Sequence, residues 1–533
     1  MALARGAIKK AANSHAGELT QGRSYSRASP RGVPTHTCGN LVRNRVGAAA
    51  ASFARMAGMT AIPERLVPLL GSGSPLQELA GILVGAGHEC YLVGGPVRDV
   101  FLDRPIVDLD LTTDARPDVV ERLVAPWADH LWLQGARFGT VGAARGGGSF
   151  EITTFRSDVY QGESRKPEVR FGDDIVTDLG RRDFTMNAMA LRLPDLELVD
   201  PYDGLADVLA LRLRTPLDVD ISFTDDPLRM LRAARFVAQL GVTPASDVVE
   251  AIGRLRGRLG IVSAERIRDE LNKLLVAPEP SAGLWLLATT KLSDEFFPEL
   301  NLMSLEQDPI HRHKDVLAHT IAVVANTRPE LLVRLAALFH DIGKPRTRGY
   351  ASNGVTFHHH EVVGARMTKA RMTELRYPND VIDAVTKLVH LHLRFHTYRM
   401  GWTDSAVRRY ARDAGGLLDE LNHLTRCDCT TRNQRKAEQL ARRMDDLEAR
   451  IEELREREEL AAIKPPLDGV QVIAFLGVPP SRVIGDALDH LLELRLDEGP
   501  IDVDTAYGHL DAWARARGIE PVGERVPAAK PRE

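Results

Sequence analysis

The sequence is short of aromatic residues, which make up 5% of its 533 positions, of cysteines, of which there are four, and of long apolar runs. No uninterrupted apolar stretch reaches the roughly 18 residues that a membrane-spanning helix needs, so we expect no membrane association. Cys38, Cys90, Cys427 and Cys429 are too few and too irregular for a disulfide framework or a four-cysteine zinc site. They favour a reducing compartment, and we predict a cytoplasmic protein.

The chain also lacks a large net charge of either sign, since its formal net charge is -4. The molecule as a whole therefore does not attract nucleic acid, and any RNA contact must come from a local basic surface. Charged residues make up 27% and hydrophobic residues 44% of the chain, which is the balance of a globular protein. The length allows two to four folding units.

Residues 1–74 lack the apolar pattern of a core, and Glu18 is the only acidic residue before position 60. Such a composition suits an organellar transit peptide. The alternative, which we favour, is a disordered extension or a start codon assigned too early, with Met56 or Met59 as the true beginning.

From residue 75 to about residue 220 the pattern alternates between helix and strand, which predicts a mixed α/β domain. Helices are expected at 76–83, 228–240, 264–275 and 433–462, and strands at 90–93, 107–112, 140–144, 150–155 and 188–193. After about residue 224 glycines and strand signals become rare, so the rest of the chain is predicted to be helical.

A glycine turn followed by two spaced aspartates is the sharpest local motif. Gly94 and Gly95 follow a predicted strand, so their N–H groups can approach an anion closely, and Arg98 is near enough to bind a phosphate. Asp108 and Asp110 alternate on the next strand and therefore project from one face. Two neighbouring carboxylates repel unless a cation lies between them, and hard oxygen ligands suit Mg²⁺. The sequence therefore predicts a metal site beside a phosphate site.

Seven motifs occur in order between about residues 76 and 275. They are GGPVRD (94–99), DLD (108–110), ARFGTV (136–141), EITTFR (151–156), RRDFTMNAM (181–189), DPYDG (200–204) and DDPLRMLRAARF (225–236). This set resembles the class II, bacterial-type branch of the polymerase-β-like nucleotidyltransferases, which contains CCA-adding enzymes and poly(A) polymerases. The resemblance implies a nucleotidyltransferase head, with tRNA, CTP and ATP as partners.

By this resemblance Asp108 and Asp110 hold the catalytic Mg²⁺ ions, and Arg182 and Asp183 lie near the nucleotide and its triphosphate. Glu151 is either a third carboxylate or a structural residue. In the two-metal scheme one ion activates the tRNA 3′-hydroxyl for attack on the α-phosphate, and the other neutralises the leaving pyrophosphate. The DPYDG motif is either the family's flexible element, which assists the switch from C to A, or an ordinary Asp-Pro turn.

The predicted helix at 228–240 begins with a carboxylate and carries three arginines. Asp226 precedes a proline and fits a helix N-cap, a geometry that does not exclude a function. Arg229, Arg232 and Arg235 step by three, and we expect them to face phosphate or base. A carboxylate accepts from an exocyclic amine and an arginine donates to a ring acceptor, so Asp226 and Arg229 can accept C and A and reject U and G. The family resemblance implies the same selection.

A second set of polar residues lies in the helical half of the chain, in VLAHT, ALFHDIGKP, HHHEVVGA, LVHLHLR and CDC. Imidazole and carboxylate together suit Mn²⁺, Fe²⁺, Ni²⁺ or Zn²⁺. The motifs resemble HD-domain phosphohydrolases, which carry phosphatase or 2′,3′-cyclic phosphodiesterase activity. This implies one metal bound by His319, His340, Asp341 and Asp428, with His360 and His390 positioned for a second. His360 is chosen from the triple histidine because Glu361 follows it.

These features predict template-independent addition and repair of the 3′-terminal CCA of tRNA, with an accessory HD phosphohydrolase activity. A bacterial poly(A) polymerase shares several motifs, but its GRRF segment is replaced here by the CCA-type GARFGT at 135–140. A partial enzyme that adds only CC or only A is a further alternative. An HD phosphohydrolase with a non-catalytic, RNA-gripping head is the alternative of another class, and intact Asp108 and Asp110 argue against it.

The predicted fold class is α+β, with a polymerase-β-like head on a mostly helical neck, HD body and tail. The expected boundaries are 75–220 for the head, 221–285 for the base-selecting neck, 286–430 for the HD domain and 431–533 for a helical tail that contacts tRNA. Arg408 and Arg409 are expected at the surface of the body, either solvated or in contact with phosphate.

Overall fold

The computed structural model describes residues 71, 73–106, 108–156, 171–172, 174–305, 315–351, 354–397, 402–429, 434–458 and 463–528. The extension expected at 1–74 lies outside these residues, apart from 71, 73 and 74. The Oγ of Ser74 accepts a hydrogen bond from the N–H of Gln77 at 3.3 Å and caps the first helix. This helix begins where the apolar periodicity of the sequence begins.

A seven-stranded mixed sheet forms the centre of the head. Its strands are β1 (Tyr91–Val93), β2 (Leu109–Thr113), β3 (His130–Trp132), β4 (Thr140–Arg145), β5 (Gly148–Thr154), β6 (Ala190–Arg192) and β7 (Glu197–Val199). Their order is β3-β4-β5-β2-β1-β6-β7, and β2 runs parallel to β5 while the other neighbours are antiparallel. The five predicted strands are confirmed within two residues at each end.

Strand β2 positions the predicted metal ligands. Leu109 and Leu111 are buried, at 8% and 1% exposure, so Asp110 between them faces the opposite side of the strand. The register of β2 and β5 pairs Asp110 with Glu151. Asp108 precedes the strand directly and is exposed.

The rest of the described chain is mostly helical, which confirms the predicted α+β class. Its helices are α1 (Pro75–Gly85), α2 (Gly95–Phe101), α3 (Pro117–Val124), α4 (Ile175–Gly180), α5 (Gly204–Leu209), α6 (Val219–Asp225), α7 (Leu228–Leu240), α8 (Ser246–Leu255), α9 (Ala264–Leu275), α10 (Pro280–Thr289), α11 (Glu299–Leu302), α12 (Val316–Asn326), α13 (Leu331–Phe339), α14 (Lys344–Thr347), α15 (His360–Glu374), α16 (Asn379–Leu391), α17 (Arg394–Thr397), α18 (Asp404–Ala414), α19 (Leu418–Asp428), α20 (Gln434–Arg457), α21 (Gly469–Leu476), α22 (Arg482–Glu498) and α23 (Val503–Arg515). Short pairs of strands are formed by β8 (Arg212–Leu213) with β9 (Thr243–Pro244) and by β10 (Arg348–Ala351) with β11 (Gly354–Phe357). None of the described helices combines the length and the apolar character that crossing a membrane requires.

A buried arginine joins the neck to the HD body. Arg334 on α13 is 3% exposed, and its Nη1 donates to the carbonyl oxygen of Ala277 at 2.6 Å and to that of Leu275. Its Nη2 donates to the carbonyl oxygen of Thr327 at 3.1 Å. The first two bonds satisfy carbonyl groups at and just beyond the end of α9, and the third satisfies one just beyond the end of α12, where a helix leaves them without an internal partner.

The last three helices form a module with its own core, which includes Val472, Leu491 and Leu510. Residues 463–528 contain six basic and eleven acidic residues. A contact between this part of the tail and tRNA therefore stays a prediction that needs a local basic patch, because the module as a whole repels phosphate.

Arg408 was expected at the surface, and the structure corrects this expectation. Its side chain is buried against Glu458, with Nη2 and Nε donating to Oε1 at 2.9 and 3.1 Å. Arg495 donates to the second oxygen of Glu458 at 3.1 Å. Arg409 is more exposed and pairs with Glu493 and other acids of α22. Arg408 therefore stabilises the junction between body and tail and is not available to phosphate.

Candidate active site and metal centre

The glycine turn is a point of close approach. Gly94 has φ 75°, a region that favours glycine, and α2 begins at Gly95. A Cβ at position 94 would lie 3.1 Å from Nη1 of Arg182 and 4.0 Å from Oδ2 of Asp110. The turn therefore brings backbone, guanidinium and carboxylate together, and a larger residue at position 94 would displace them.

Three carboxylates lie around strand β2. Burial and the neighbouring Glu151 raise the pKa of Asp110, Arg182 opposes this shift, and Asp108 adds to it. The crowded negative charge favours a divalent cation. Within the described residues, the groups whose ligand atoms all lie within 4.8 Å of one another do not include these three. This looser arrangement suits Mg²⁺, which is usually held by one or two carboxylates together with substrate phosphates.

A polar cavity of about 270 Å³ opens beside Asp110. It is lined by Gly94, Gly95, Asp110, Arg181, Arg182, Asp183, Asn187, Asp226, Arg229, Arg232 and Arg266. Its volume is close to the lower end for ligand sites, about 300 Å³. The cavity brings together six of the eight residues that were expected to bind nucleotide, and Arg98 and Arg235 do not line it.

Arg98 is held behind the glycine turn. Its Nε and Nη2 donate to the two oxygens of Asp99 at 3.0 and 2.9 Å, and its Nη1 donates to Oδ1 of Asn187 at 2.7 Å. Its Nη2 lies 3.6 Å from the position that a Cβ of Gly95 would take. These neighbours engage the guanidinium of Arg98, which does not line the cavity, and its contact with phosphate stays a prediction.

Arg232 and Arg235 are both engaged by acidic residues. Arg232 donates from Nε to Oδ2 of Asp183 at 2.8 Å, and Oδ1 of Asp183 accepts from Asn187 at 2.9 Å. Burial alone would raise the pKa of Asp183, but Arg232 outweighs it and holds that pKa well below its usual range. Arg235 forms an ion pair with the buried Glu270 at 2.8 Å. This ion pair joins α7 to α9, and since Arg235 does not line the cavity, its contact with phosphate or base stays a prediction.

The two residues that were expected to select the base line the same cavity. Asp226 accepts from the N–H of Leu228 at 3.2 Å, so the predicted cap geometry is present. Its second oxygen lies 3.3 Å from Nη2 of Arg266, a residue of α9. Arg229 donates from Nη1 to Oγ of Ser222 at 2.8 Å. A carboxylate and a guanidinium are therefore both positioned at the cavity by neighbouring side chains.

Six side chains of the HD body form two groups that could hold metal ions. The first group is His319, His340 and Asp428, and the second is Asp341, His360 and His392. Asp341 connects the groups, because its Oδ2 lies 3.2 Å from Nε2 of His340 and its Oδ1 lies 3.4 Å from Nε2 of His360. In the first group, Oδ1 of Asp428 lies 2.9 Å from Nε2 of His319.

The orientation of three of these histidines is fixed by the backbone. In His340, His360 and His392, Nδ1 donates to the carbonyl oxygen three residues earlier at 2.6 to 2.8 Å. Within the described residues, Nε2 of His360 and of His392 is buried and makes no hydrogen bond. A ring held through one nitrogen, with the other buried within 4.8 Å of a carboxylate oxygen, is typical of a metal ligand. The donor set therefore fits a transition metal, and the choice of His360 over the exposed His358 and His359 agrees with the structure.

His390 was expected in the second group, but it is exposed on α16 and His392 takes its place. Val385, Leu388 and Val389 form the buried face of α16. Position 392 continues this face at helical spacing, whereas position 390 points away from it. The spacing of apolar residues in the sequence was the signal that could have identified His392.

The charges of the two groups are strongly coupled. Burial alone would lower the pKa of His340, but Asp341 and Asp428 outweigh it and raise that pKa to about 10. Burial and the adjacent His340 lower the pKa of His392 to about 3. Nζ of Lys344 lies 2.7 Å from Oδ2 of Asp341 and adds a further cation. A divalent ion would take over the role of these cations, since metal ligands must give up their protons.

Three family models match the chain. Residues 90–214 match the poly A polymerase head domain, residues 241–303 match the "probable RNA and SrmB-binding site of polymerase A", and residues 316–454 match the HD domain. A solved CCA-adding enzyme of Bacillus stearothermophilus in complex with CTP has the same fold, with a TM-score of 0.59. It shares 24% identity, and the match covers 86% of this chain and 99% of that one. Fold and site thus define a polymerase-β-like nucleotidyltransferase with an HD domain.

The chain belongs to the tRNA nucleotidyltransferase family. An A-adding tRNA nucleotidyltransferase of Deinococcus radiodurans is 33% identical over 424 residues, which is 76% of this chain and 91% of the relative. A CCA-adding enzyme of Geobacillus thermodenitrificans is 41% identical over 223 residues, 41% of this chain and 54% of the relative. One of Bacillus subtilis is 39% identical over 233 residues, 43% of this chain and 57% of the relative. The chain therefore spans about half the length of these two CCA-adding relatives.

Several residues of both sites were not singled out from the sequence. They are Arg181, Asn187 and Arg266 at the cavity and Lys344 and His392 at the metal groups. Arg181 and Asn187 lie within the quoted RRDFTMNAM motif, so the motif itself was the signal. Arg266 shows no local signal, because it reaches the cavity through the packing of α9 on α7.

Proposed function

We propose that the protein adds and repairs the 3′-terminal CCA of tRNA, with CTP and ATP as substrates and release of pyrophosphate. The observation that carries this proposal is one cavity that unites the glycine turn, Asp110 and the Asp226–Arg229 pair. A phosphate-binding turn, a metal-binding carboxylate and a base-reading pair are the three parts that template-independent nucleotide transfer requires.

Asp108 and Asp110 are proposed to hold Mg²⁺, with Glu151 as a supporting carboxylate. Bound Mg²⁺ lowers the pKa of the attacking hydroxyl and neutralises charge on the leaving pyrophosphate. The N–H groups of Gly94 and Gly95 and the guanidinium of Arg182 bind the triphosphate. The tRNA 3′-oxygen then forms a bond to the α-phosphorus, and the bond from that phosphorus to pyrophosphate breaks.

Base selection is proposed to rest on Asp226 and Arg229. Cytosine and adenine present an amine beside a ring nitrogen acceptor, which matches a carboxylate beside a guanidinium. Uracil and guanine would place a carbonyl against the carboxylate and leave two acceptors facing each other, which costs free energy. The protein itself then serves as the template.

A second candidate is addition of the terminal A alone. It is favoured by the relative that is matched over 91% of its length, which is an A-adding enzyme. The test is to incubate three tRNA transcripts, which lack CCA, CA or A, with each labelled nucleotide separately and with CTP and ATP together. Extension of all three to the full end supports CCA addition, whereas extension of the last transcript alone, with ATP, establishes A addition. Growth of a long A tail would indicate a poly(A) polymerase instead.

The HD body is proposed to hold Mn²⁺, Fe²⁺, Ni²⁺ or Zn²⁺ and to hydrolyse phosphate at RNA ends. His392 replaces His390 in this assignment. Hydrolysis of 2′,3′-cyclic CMP by the full chain, supplied with each metal in turn, tests it, with Asp110→Asn as the control that removes only nucleotide transfer. Activity that persists in His340→Ala would contradict the assignment. A cytoplasmic location is proposed as well, supported by Cys90, Cys427 and Cys429, which form no disulfide within the described residues.

A further inference from the structure

A small hairpin, formed by β10 and β11, lies next to the second metal group of the HD body at its open end, where Arg348 pairs with Phe357. In the sequence it lies between Asp341 and His360, which belong to the same group. On α14, which precedes the hairpin, Nζ of Lys344 lies 2.7 Å from Asp341 and 5.7 Å from the ring centroid of Phe357. At its end, Nδ1 of His360 donates to the carbonyl oxygen of Phe357 at 2.8 Å. A ligand held on this hairpin would thus be held beside the metal groups.

The hairpin segment is basic in a chain whose net charge is -4. Between residues 342 and 360 there is no Asp or Glu, while Lys344, Arg346 and Arg348 occur there. Arg346 and Arg348 are exposed. Cations two residues apart, without acidic neighbours in the segment, favour a ligand with more than one phosphate.

The hairpin also exposes an aromatic ring. Tyr350 is 76% exposed, and the guanidinium of Arg348 lies 5.3 Å from its ring centroid. In the register, Tyr350 pairs with Val355 and Arg348 pairs with Phe357, so tyrosine and arginine project from the same face. An exposed aromatic ring beside a guanidinium is a sequence-tolerant platform on which a nucleobase can stack.

We propose that this hairpin is a binding surface for the single-stranded 3′ end of RNA, which it presents to the metal groups. Tyr350 stacks on a base, and Arg346 and Arg348 contact the flanking phosphates. The inference deepens the proposed HD hydrolase function and rests on it for the fate of the bound end. RNA is favoured over an acidic protein because an acidic protein would use the cations but has no need of an exposed ring beside them.

The first experiment compares two substrates of the metal-loaded full chain. One is a trinucleotide with a 2′,3′-cyclic phosphate end, and the other is ribose 2′,3′-cyclic phosphate, which has no aromatic ring and a single phosphate. Tyr350→Ala is expected to raise KM for the trinucleotide about tenfold, with kcat and the second substrate unchanged. Tyr350→Phe, which keeps the ring, and Arg482→Gln, which alters an exposed arginine of α22, serve as matched controls. Equal effects of Tyr350→Ala on both substrates, or none on either, would overturn the proposal.

The second experiment separates failure of this proposal from failure of the hydrolase function. If neither substrate is hydrolysed with any metal, the hydrolase function is wrong, and the hairpin is tested by fluorescence anisotropy of a labelled single-stranded pentanucleotide. Weaker binding by Tyr350→Ala and by Arg348→Gln, but not by Arg482→Gln, supports the RNA surface. Unchanged binding of RNA by Tyr350→Ala, together with loss of polyglutamate binding by Arg348→Gln, would identify an acidic protein as the partner and overturn the proposal.

Discussion

Nε of Arg232 on the neck helix α7 lies 2.8 Å from Oδ2 of Asp183, in the segment that follows α4 in the head. Asp183 also accepts from the N–H of Phe184 at 2.8 Å and from Asn187 at 2.9 Å. Since Asn187 in turn accepts from Arg98, a continuous series of bonds runs from the neck to the glycine turn. The cavity wall is therefore fixed before a nucleotide arrives, which is the preorganisation that binding and transfer favour.

Asp183→Ala is expected to lower the free energy of unfolding by about 2 kcal/mol, because it leaves the guanidinium of Arg232 with Glu270, 3.7 Å away, as its remaining charged partner. Urea unfolding monitored by circular dichroism measures this loss. The conservative Asp183→Asn keeps an oxygen that accepts from the N–H of Phe184 and from Asn187, and it is expected to lower the free energy of unfolding by less. Equal stability of wild type and Asp183→Ala would show that water replaces the ion pair without cost.

The same residue gives a pH dependence. Because the pKa of Asp183 is lower in the folded than in the unfolded protein, its stabilisation is complete above the ordinary aspartate pKa of about 3.9. It is lost as the pH falls below that value toward the pKa of the folded state. The stability difference between wild type and Asp183→Asn should therefore shrink on acidification below about pH 4, as measured by urea unfolding at several pH values.

Asp110→Asn is expected to abolish nucleotide incorporation while making the Mg²⁺-free protein more stable at neutral pH. The pKa of Asp110 is raised by burial and by Glu151, so its ionised form opposes folding until a cation binds. Incorporation of labelled nucleotide and thermal melting in EDTA measure the two effects. Asp118→Asn, an exposed position of α3, should change neither. Nucleotide incorporation that persists in Asp110→Asn would contradict the assignment of Asp110 as a metal ligand.

Exchanging Asp226 and Arg229, as Asp226→Arg with Arg229→Asp, is expected to shift selection from CTP and ATP toward UTP or GTP, since donor and acceptor change places. Incorporation of the four labelled nucleotides into truncated tRNA measures the shift. The exchange brings a new guanidinium close to Arg266, so the same exchange is also made together with Arg266→Gln. Preference for CTP and ATP that survives in both variants would contradict base selection by this pair.

His392→Ala and His390→Ala form a matched pair in one helix turn. His392→Ala removes a buried member of the second metal group. It is expected to lower the amount of metal bound per chain and to reduce hydrolysis of cyclic CMP to background. His390→Ala alters an exposed residue and should leave both unchanged. Elemental analysis of the purified protein and a hydrolysis assay provide the measurements. Loss of metal and of hydrolysis in His390→Ala but not in His392→Ala would identify His390 as the ligand instead.

Arg408→Ala is expected to lower the free energy of unfolding by about 3 kcal/mol, because it leaves the buried carboxylate of Glu458 with Arg495 as its remaining charged partner. Arg409→Ala breaks ion pairs with exposed acids and should cost less than about 1 kcal/mol. Chemical unfolding of the two variants gives the comparison. If both lose affinity for tRNA and neither loses stability, the original expectation of a phosphate contact holds for these arginines.

The elements that depend on apolar periodicity were predictable from the sequence. Helices α7 and α9 have the expected bounds, and Asp110 faces away from the core because Leu109 and Leu111 alternate with it. The same periodicity indicates His392, whereas the predicted ligand was His390, the first histidine of the LVHLHLR motif. The alternation of buried and exposed positions is thus the most transferable information in such a chain.

The partners of charged side chains were not predictable in the same way. Spacing placed Arg229 and Arg235 on one helix, but only tertiary packing decides that Arg229 lines the cavity while Arg235 pairs with Glu270 of α9. Arg266 reaches Asp226 from 40 positions along the chain for the same reason. A single sequence carries no signal for such distant ion pairs, because each charged residue is equally compatible with solvent.

Arg334 of the HD body donates hydrogen bonds to the carbonyl oxygens at the end of the neck helix α9. Deleting the body would therefore destabilise the neck. Removing the body would expose Ala277 and the apolar side of the neck, and α9 carries Arg266 of the nucleotide cavity and Glu270, which pairs with Arg235 of α7. To study nucleotide transfer without the proposed hydrolysis, the ligands of the metal groups should therefore be substituted in the full-length chain. The neck, which carries residues of the nucleotide cavity, and the HD body are thus coupled through α9 and Arg334.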